Sequence, residues 1–267
     1  MIPVVVTSPV GENQAMTPST PPSSGPIAVI GPGRLGTVLH RALVGVGAPA
    51  VGPFGRNRTA EDLTDAALVL ICVPDSRIAE VAAGVPSGPL LAHCSGASGL
   101  DVLAGRRGFS LHPLMTFTPT TGPAALVGVP AAVAGTDPEA ADTGRWLAGL
   151  LGLEPFTVAE HDRIAYHAAT ALASNFLITL ESAAADLLAT AGVDSDALLP
   201  LIRATVANWA TQGSAALTGP TARGDTAVVD GHRAVIATRT PDLLAVFDAL
   251  AAATARLARQ NSSGEQR

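Results

Sequence analysis

The apolar run Pro26-Ile27-Ala28-Val29-Ile30 leads straight into Gly31-Pro32-Gly33-Arg34-Leu35-Gly36, so a buried strand is followed at once by the spacing G-x-G-x-x-G. This order predicts a strand, a tight turn and a helix that together hold a dinucleotide pyrophosphate. Gly31 makes the turn, Gly33 lets the backbone approach the phosphates, and Gly36 lets the helix lie close on the strand. Val38, Leu39, Ala42 and Leu43 recur with Leu35 at helical spacing until Gly45 and Gly47. The N–H groups that open this helix have no partner within it and face the phosphates, so Pro32, Arg34 and Leu35 join the three glycines in the expected cradle.

Further continuous apolar runs follow at residues 48–54, 68–73, 90–94, 108–111, 131–134 and 153–158, separated by helical patterns that include 137–152. Strands apolar on both faces that alternate with helices predict a doubly wound α/β parallel sheet. Pro74-Asp75-Ser76 closes the third run, with Asp75 or Ser76 placed to cap a helix reaching about residue 83. From residue 160 the pattern becomes helical at 160–191, 195–217 and 226–238, and a last helix is opened by Thr240-Pro241-Asp242. The expected organisation is a tail at 1–25, a dinucleotide-binding domain at 26–158 and an all-helical domain at 159–267.

The tail is rich in Pro, Ser and Thr and lacks a basic segment, which predicts a disordered extension, not a signal peptide, and a cytoplasmic protein. The apolar stretch 164–180 is interrupted by His167, Thr170, Ser174 and Asn175 and is expected to be a buried helix, not a membrane span. A formal charge of −6 argues against a nucleic-acid partner. Cys72 and Cys94 each lie in an apolar run and are expected to be buried small side chains, with no disulfide or metal site. All 16 basic residues are arginine, which excludes Schiff-base, Walker-type and lysine-acid chemistry.

The cofactor form is read at Gly55-Arg56-Asn57-Arg58, after the second strand. Selectivity for NAD needs a carboxylate there for the ribose hydroxyls, whereas arginine accommodates a 2′-phosphate. With Glu61 and Asp62 arriving only later, the expected cofactor is NADP(H), held by Arg56 with Arg58 and Asn57 beside it; the alternative is a solvated basic turn. Val73 and Pro74, at the end of the third run, are further expected cofactor contacts.

Arg163, His167, Thr170 and Ser174, spaced four, three and four apart, share one face of a helix, flanked by Tyr166 and Asn175. They either meet substrate or face solvent. A second polar group is Arg223-Gly224-Asp225, after Leu217-Thr218-Gly219-Pro220. Arg223 is suited to clamp a carboxylate, with Asp225 orienting Arg223 or His232; the alternative is that both only cap helices. His112, in Leu111-His112-Pro113-Leu114, ends the fifth strand.

With these motifs, and with Val73-Pro74-Asp75, His93-Cys94-Ser95-Gly96-Ala97, Tyr166-His167-Ala168-Ala169 and Ser174-Asn175, the chain resembles bacterial proteins that join a Rossmann-like domain to the domain of unknown function 2520. Their superfamily has a helical half like that of 6-phosphogluconate dehydrogenase. The resemblance implies a Rossmann-type domain with a second, all-helical domain and an NADP-dependent oxidoreductase acting on a carbonyl. One similar subgroup reduces ketopantoate, which points to that 2-oxo acid. Relatives use a lysine acid, which this chain lacks. The expected proton donor is therefore His167, with Asn175 polarising the carbonyl and His112 as the rival acid. Arg223, Asp225, Ser174 and Ser95 are the expected substrate contacts. The competing readings are an imine reductase like pyrroline-5-carboxylate reductase and a non-catalytic NADP(H) sensor. The apolar faces of 164–180 and 195–217 predict a homodimer through the helical domain.

Overall fold

A computed structural model describes residues 25–264, so nearly all of the expected tail at 1–25 lies outside the described residues. The chain divides into two compact units at Leu172/Ala173. In the first, β1 (Ile27–Ile30), β2 (Ala50–Phe54), β3 (Leu68–Ile71), β4 (Leu90–His93), β5 (Gly108–Pro113), β6 (Pro130–Gly135) and β7 (Glu154–Phe156) form one sheet in the order β2-β1-β3-β4-β5-β6-β7. β1 to β5 run parallel, β6 is antiparallel to β5, and β7 is again parallel to β6. The sheet is therefore mixed at one edge, where the expectation is a parallel one. The link from β5 to β6, residues 114–129, carries only the 3-10 turn Pro123–Leu126 and no α-helix of the kind that usually makes a parallel crossover.

Alternate residues of the central strands β1, β3 and β4 feed opposite cores. Ile27, Val29, Leu68, Leu70, Ala92 and Leu111 join Leu39 and Leu43 of α1 (Arg34–Gly45) and Leu147 of α3 (Pro138–Leu150) on one face. Ala28, Ile30, Val69, Ile71 and Leu91 join Ile78 and Val81 of α2 (Ile78–Ala83) on the other. Burial on both faces is why these strands are apolar without interruption. Asp137 caps α3 by accepting from the Ala140 N–H at 2.9 Å.

The first unit also takes α4 (Arg163–Ala173) up to Leu172, beyond the domain boundary expected at 158/159. Arg163 explains this: it is 3% exposed, and its Nη2 donates to Ser110 Oγ of β5 at 2.9 Å. The expected continuous helix at 160–191 breaks at Ser174 (φ −123°, ψ −75°), after which α5 (Asn175–Ala189) begins. The segment Glu160–Ala189 is the one described stretch with the length and hydropathy of a membrane span, but this break and the buried Arg163 lie within it.

The second unit comprises α5, α6 (Leu199–Gln212), the single turn α7 (Pro220–Arg223), α8 (Thr226–Arg239) and α9 (Leu244–Ser263). Arg233 and Asp248 pair through two hydrogen bonds, at 2.8 and 2.9 Å, between α8 and α9. Thr240, expected to cap the last helix, makes no side-chain cap, and its buried Oγ1 has no partner among the described residues. Ile236 is the one apolar side chain buried below a tenth among the described residues of this unit. The expectation that 164–180 forms a buried helix is corrected: in the single chain Ile164 is 67% and Ile178 64% exposed.

Candidate functional site

The glycine turn takes the geometry its sequence requires. Gly31 has φ +107°, and a Cβ there would fall on the Cys72 carbonyl; a Cβ at Gly36 would fall on the Gly31 carbonyl. At Gly33 a Cβ would meet no atom within 4 Å, so this residue faces open space. No side chain caps the start of α1. Its orphan N–H groups therefore open beside a cavity of about 490 Å³ that Gly31, Pro32 and Gly33 line with Val73 and Pro74. This is the switch point of the sheet, where the chain leaves β1 for β2 on one side and returns to β3 on the other.

Arg56 and Arg58 line the same cavity, and Asn57 lines an adjoining one with them. Asp62 is engaged locally, accepting from Thr59 N–H at 2.7 Å. Arg34 is exposed at the start of α1, and Leu35 packs its side chain into the core, which leaves only its backbone for a ligand. Arg77, which the motif reading passes over, also lines the cavity and is paired with Glu80 at 2.8 Å. A basic cleft with an open glycine and unsatisfied helix N–H groups fits a phosphorylated dinucleotide.

A second group of polar residues gathers at the carboxyl ends of β4 and β5, the same sheet edge as the glycine turn. Ser95 Oγ donates to Asp75 Oδ2 at 2.7 Å and accepts from the backbone N–H of Ala97 and Ser98. Asp75 is thus drawn to Ser95 and caps no helix, contrary to the expected role, and the Ser95 hydroxyl is committed to Asp75 and to its own loop. Ser95 N–H donates to His93 Nδ1, which leaves His93 Nε2 buried with no partner among the described residues. Burial, aided by the Arg163 charge, pushes His93 down to about 4.

His112 Nδ1 lies 2.8 Å from the Tyr166 hydroxyl of α4, and its ring meets that of His167 edge-on at a centroid distance of 6.1 Å. Both imidazoles close over Gly96, where a Cβ would sit 2.7 Å from His112 Cε1 and 2.8 Å from His167 Cδ2. Burial, then the neighbouring His167 and Arg163, pushes His112 down to about 4, and burial raises the Tyr166 phenol. Both groups are therefore neutral around pH 7. The two expected acids, His112 and His167, stand together, but the Tyr166 contact links segments 54 residues apart and carries no local signal. Close by, Cys72 and Cys94 Sγ atoms lie 3.7 Å apart as free thiols, and this contact together with burial pushes the Cys72 thiol up.

The other expected substrate contacts belong to the second unit. Asn175 opens α5 and accepts from Ser174 Oγ at 3.2 Å, so the stripe from Arg163 to His167 and Thr170 ends before Ser174. Arg223 Nε donates to Asp225 Oδ2 at 3.3 Å, and Asp225 makes no side-chain cap at α8. Of the two partners expected for Asp225, it contacts Arg223, while His232 is exposed. Arg223 and Arg259 both line a cavity of about 780 Å³ beside α9.

Residues 129–254 match the family described as Domain of unknown function (DUF2520). No curated protein matches the sequence at a significant level. Among solved structures, a Bacteroides fragilis protein named as a candidate NADP oxidoreductase superposes with TM-score 0.75 and 22% identity, over 87% of this chain and 98% of that one. A Thermotoga maritima protein superposes with TM-score 0.69 and 21% identity, over 88% and 99%. Plasmodium falciparum pyrroline carboxylate reductase, solved with NADP bound, gives TM-score 0.56 and 11% identity, over 88% and 98%. The match to DUF2520 begins just before β6, so it takes in the last two strands and α4 as well as most of the second unit. The chain thus has a region, residues 129–254, that matches the DUF2520 model, and a Rossmann-type α/β fold followed by helices.

Proposed function

We propose that the protein is an NADP(H)-dependent oxidoreductase that reduces the carbonyl of a small 2-oxo acid, with ketopantoate as the specific substrate. The observation that carries this reading is the cavity at the β1/β3 switch point, where the Gly31–Gly36 turn and the free start of α1 share one cleft with Arg56 and Arg58. The Bacteroides and Plasmodium proteins, named for NADP, share the fold and support the cofactor. Arg56, with Arg58 and Asn57 beside it, holds the 2′-phosphate; Gly33 and the first N–H groups of α1 hold the pyrophosphate. When bound, the dinucleotide supplies a hydride.

The chain's part is to position the carbonyl and to give its oxygen a proton. The His112, Tyr166 and His167 cluster lies at the sheet edge that carries the glycine turn and holds the titratable groups for that transfer. Within the second unit, Arg223, held by Asp225, and Asn175 are groups whose chemistry suits a carboxylate and a carbonyl. The apolar side chains that α5 and α6 leave open, among them Phe176, Ile178, Leu201 and Trp209, form the contact of a homodimer.

The test is binding. Arg56→Glu should weaken NADPH binding at least tenfold more than NADH binding, each measured by titrating the reduced nicotinamide fluorescence. Equal losses for the two cofactors would contradict the assignment of Arg56.

A further inference from the structure

We infer that Tyr166, not a histidine, delivers the proton to the substrate oxygen, and that His112 acts as its positioning residue by donating Nδ1–H to the phenol oxygen. The inference deepens the reading above and rests on it for the reaction, though its hydrogen-bond geometry can be tested without any cofactor.

The argument begins with the 2.8 Å contact between His112 Nδ1 and the Tyr166 oxygen. This contact has two polarities. If the phenol donates to Nδ1, its proton is held by the imidazole and is not available to substrate. If Nδ1–H donates, the phenol proton is free to point away from the ring, and the phenolate left after transfer keeps a hydrogen bond. Only the second polarity makes a proton donor.

The surroundings favour it. His112 is held neutral by burial beside His167 and Arg163, so it carries one ring proton to give and one ring nitrogen to accept another. Arg163 also stabilises negative charge on the phenol, against the burial that opposes it. The charged and titratable groups acting on the pair are therefore Arg163 and His167 from α4 and Asp75 from the loop after β3. Phe156 of β7 packs edge-on to the Tyr166 ring at 6.0 Å and fixes its plane.

The step balances. As hydride reaches the carbonyl carbon, the C=O π pair moves to oxygen, and this oxygen takes the Tyr166 hydroxyl proton. A proton from solvent then returns to the phenolate, whose hydrogen bond from His112 Nδ1–H is kept throughout, so the cluster ends as it began. His167, beside His112 with its ring turned 67° to it, lies next to this return path and not in the first transfer.

Tyr166 is the sole tyrosine of the chain, so the near-ultraviolet phenolate band of the cofactor-free protein reports this one group. The experiment is an alkaline titration of wild type, His112→Leu and His112→Asn, the last keeping an N–H donor near the place of Nδ1. Donation from Nδ1 stabilises the phenolate, so His112→Leu should raise the apparent pKa of Tyr166 and His112→Asn should restore it toward wild type. A pKa in His112→Leu that is unchanged or lower overturns the polarity. In turnover with NADPH, Tyr166→Phe should lower kcat by roughly 10²–10⁴-fold, the range for loss of a general acid, with NADPH affinity unchanged. His167→Ala should lower it less than tenfold. If NADPH oxidation proceeds in Tyr166→Phe at the wild-type rate, Tyr166 is not the donor even though the reductase reading stands. If no carbonyl is reduced by wild type, the reductase reading fails, while the titration still decides the hydrogen bond.

Discussion

Two buried histidines make the first unit acid-sensitive over a defined range. In the unfolded chain His93 and His112 take up protons near pH 6.5; in the folded protein burial delays this to about 4. Between those values the unfolded state binds more protons, so stability falls as pH is lowered and is fully present above about pH 7. For one histidine with these two pKa values, the linkage relation gives a loss of about 2 kcal/mol between about pH 7.5 and about pH 5, hence about 4 kcal/mol for the pair. His112→Gln removes one contribution and should lose only about 2 kcal/mol over the same range. The assay is urea unfolding followed by Trp146, which packs half-buried on the first unit's core, in a Trp209→Phe background because Trp209 is 67% exposed and lies in the other unit. A stability that stays flat across this range, or a variant that loses as much as its parent, would refute the reasoning.

Other expectations separate folding from binding. Gly36→Ala places a methyl group against the Gly31 carbonyl and 3.1 Å from Cys72 Cβ, and should cost about 1–3 kcal/mol of stability by urea unfolding. Gly33→Ala meets nothing in the protein, so it should leave unfolding unchanged while weakening NADPH binding. Arg163→Met leaves Ser110 buried without its donor and should cost about 1–3 kcal/mol; it should also raise the pH at which His112 titrates, followed by NMR of the ring protons. Light scattering should give the mass of two chains, and Trp209→Asp with Ile178→Asp should shift it to that of one; a wild-type monomer would contradict the proposed dimer.

What the sequence made legible was what is local. The Gly31–Gly36 turn is encoded within eleven residues with its strand: Gly31 and Gly36 meet the backbone their motif roles require, and Gly33 faces open space. The central strands were visible because both faces of β1, β3 and β4 are buried. The failures share a cause in distant partners. Asp75 has the position of a helix cap, but Ser95 offers it a hydroxyl. The periodicity of 160–191 is unbroken, yet Ser174 leaves the helical region and divides it. Tyr166 looked like a neighbour of the polar stripe because nothing near it in the chain shows that α4 lies where β5 ends. Arg163 shows that a charged residue on an apolar helix can be an anchor to the sheet and not a surface group.

The central claim is that a basic dinucleotide cleft serves reduction of a small 2-oxo acid. The most direct test follows loss of NADPH absorbance with purified protein across ketopantoate, other 2-oxo acids and cyclic imines such as pyrroline carboxylate. The account predicts NADPH oxidation equal to the hydroxy acid formed, fastest with ketopantoate and slower with NADH. Tight NADPH binding with no oxidation on any 2-oxo acid, or turnover confined to the imines, would contradict it.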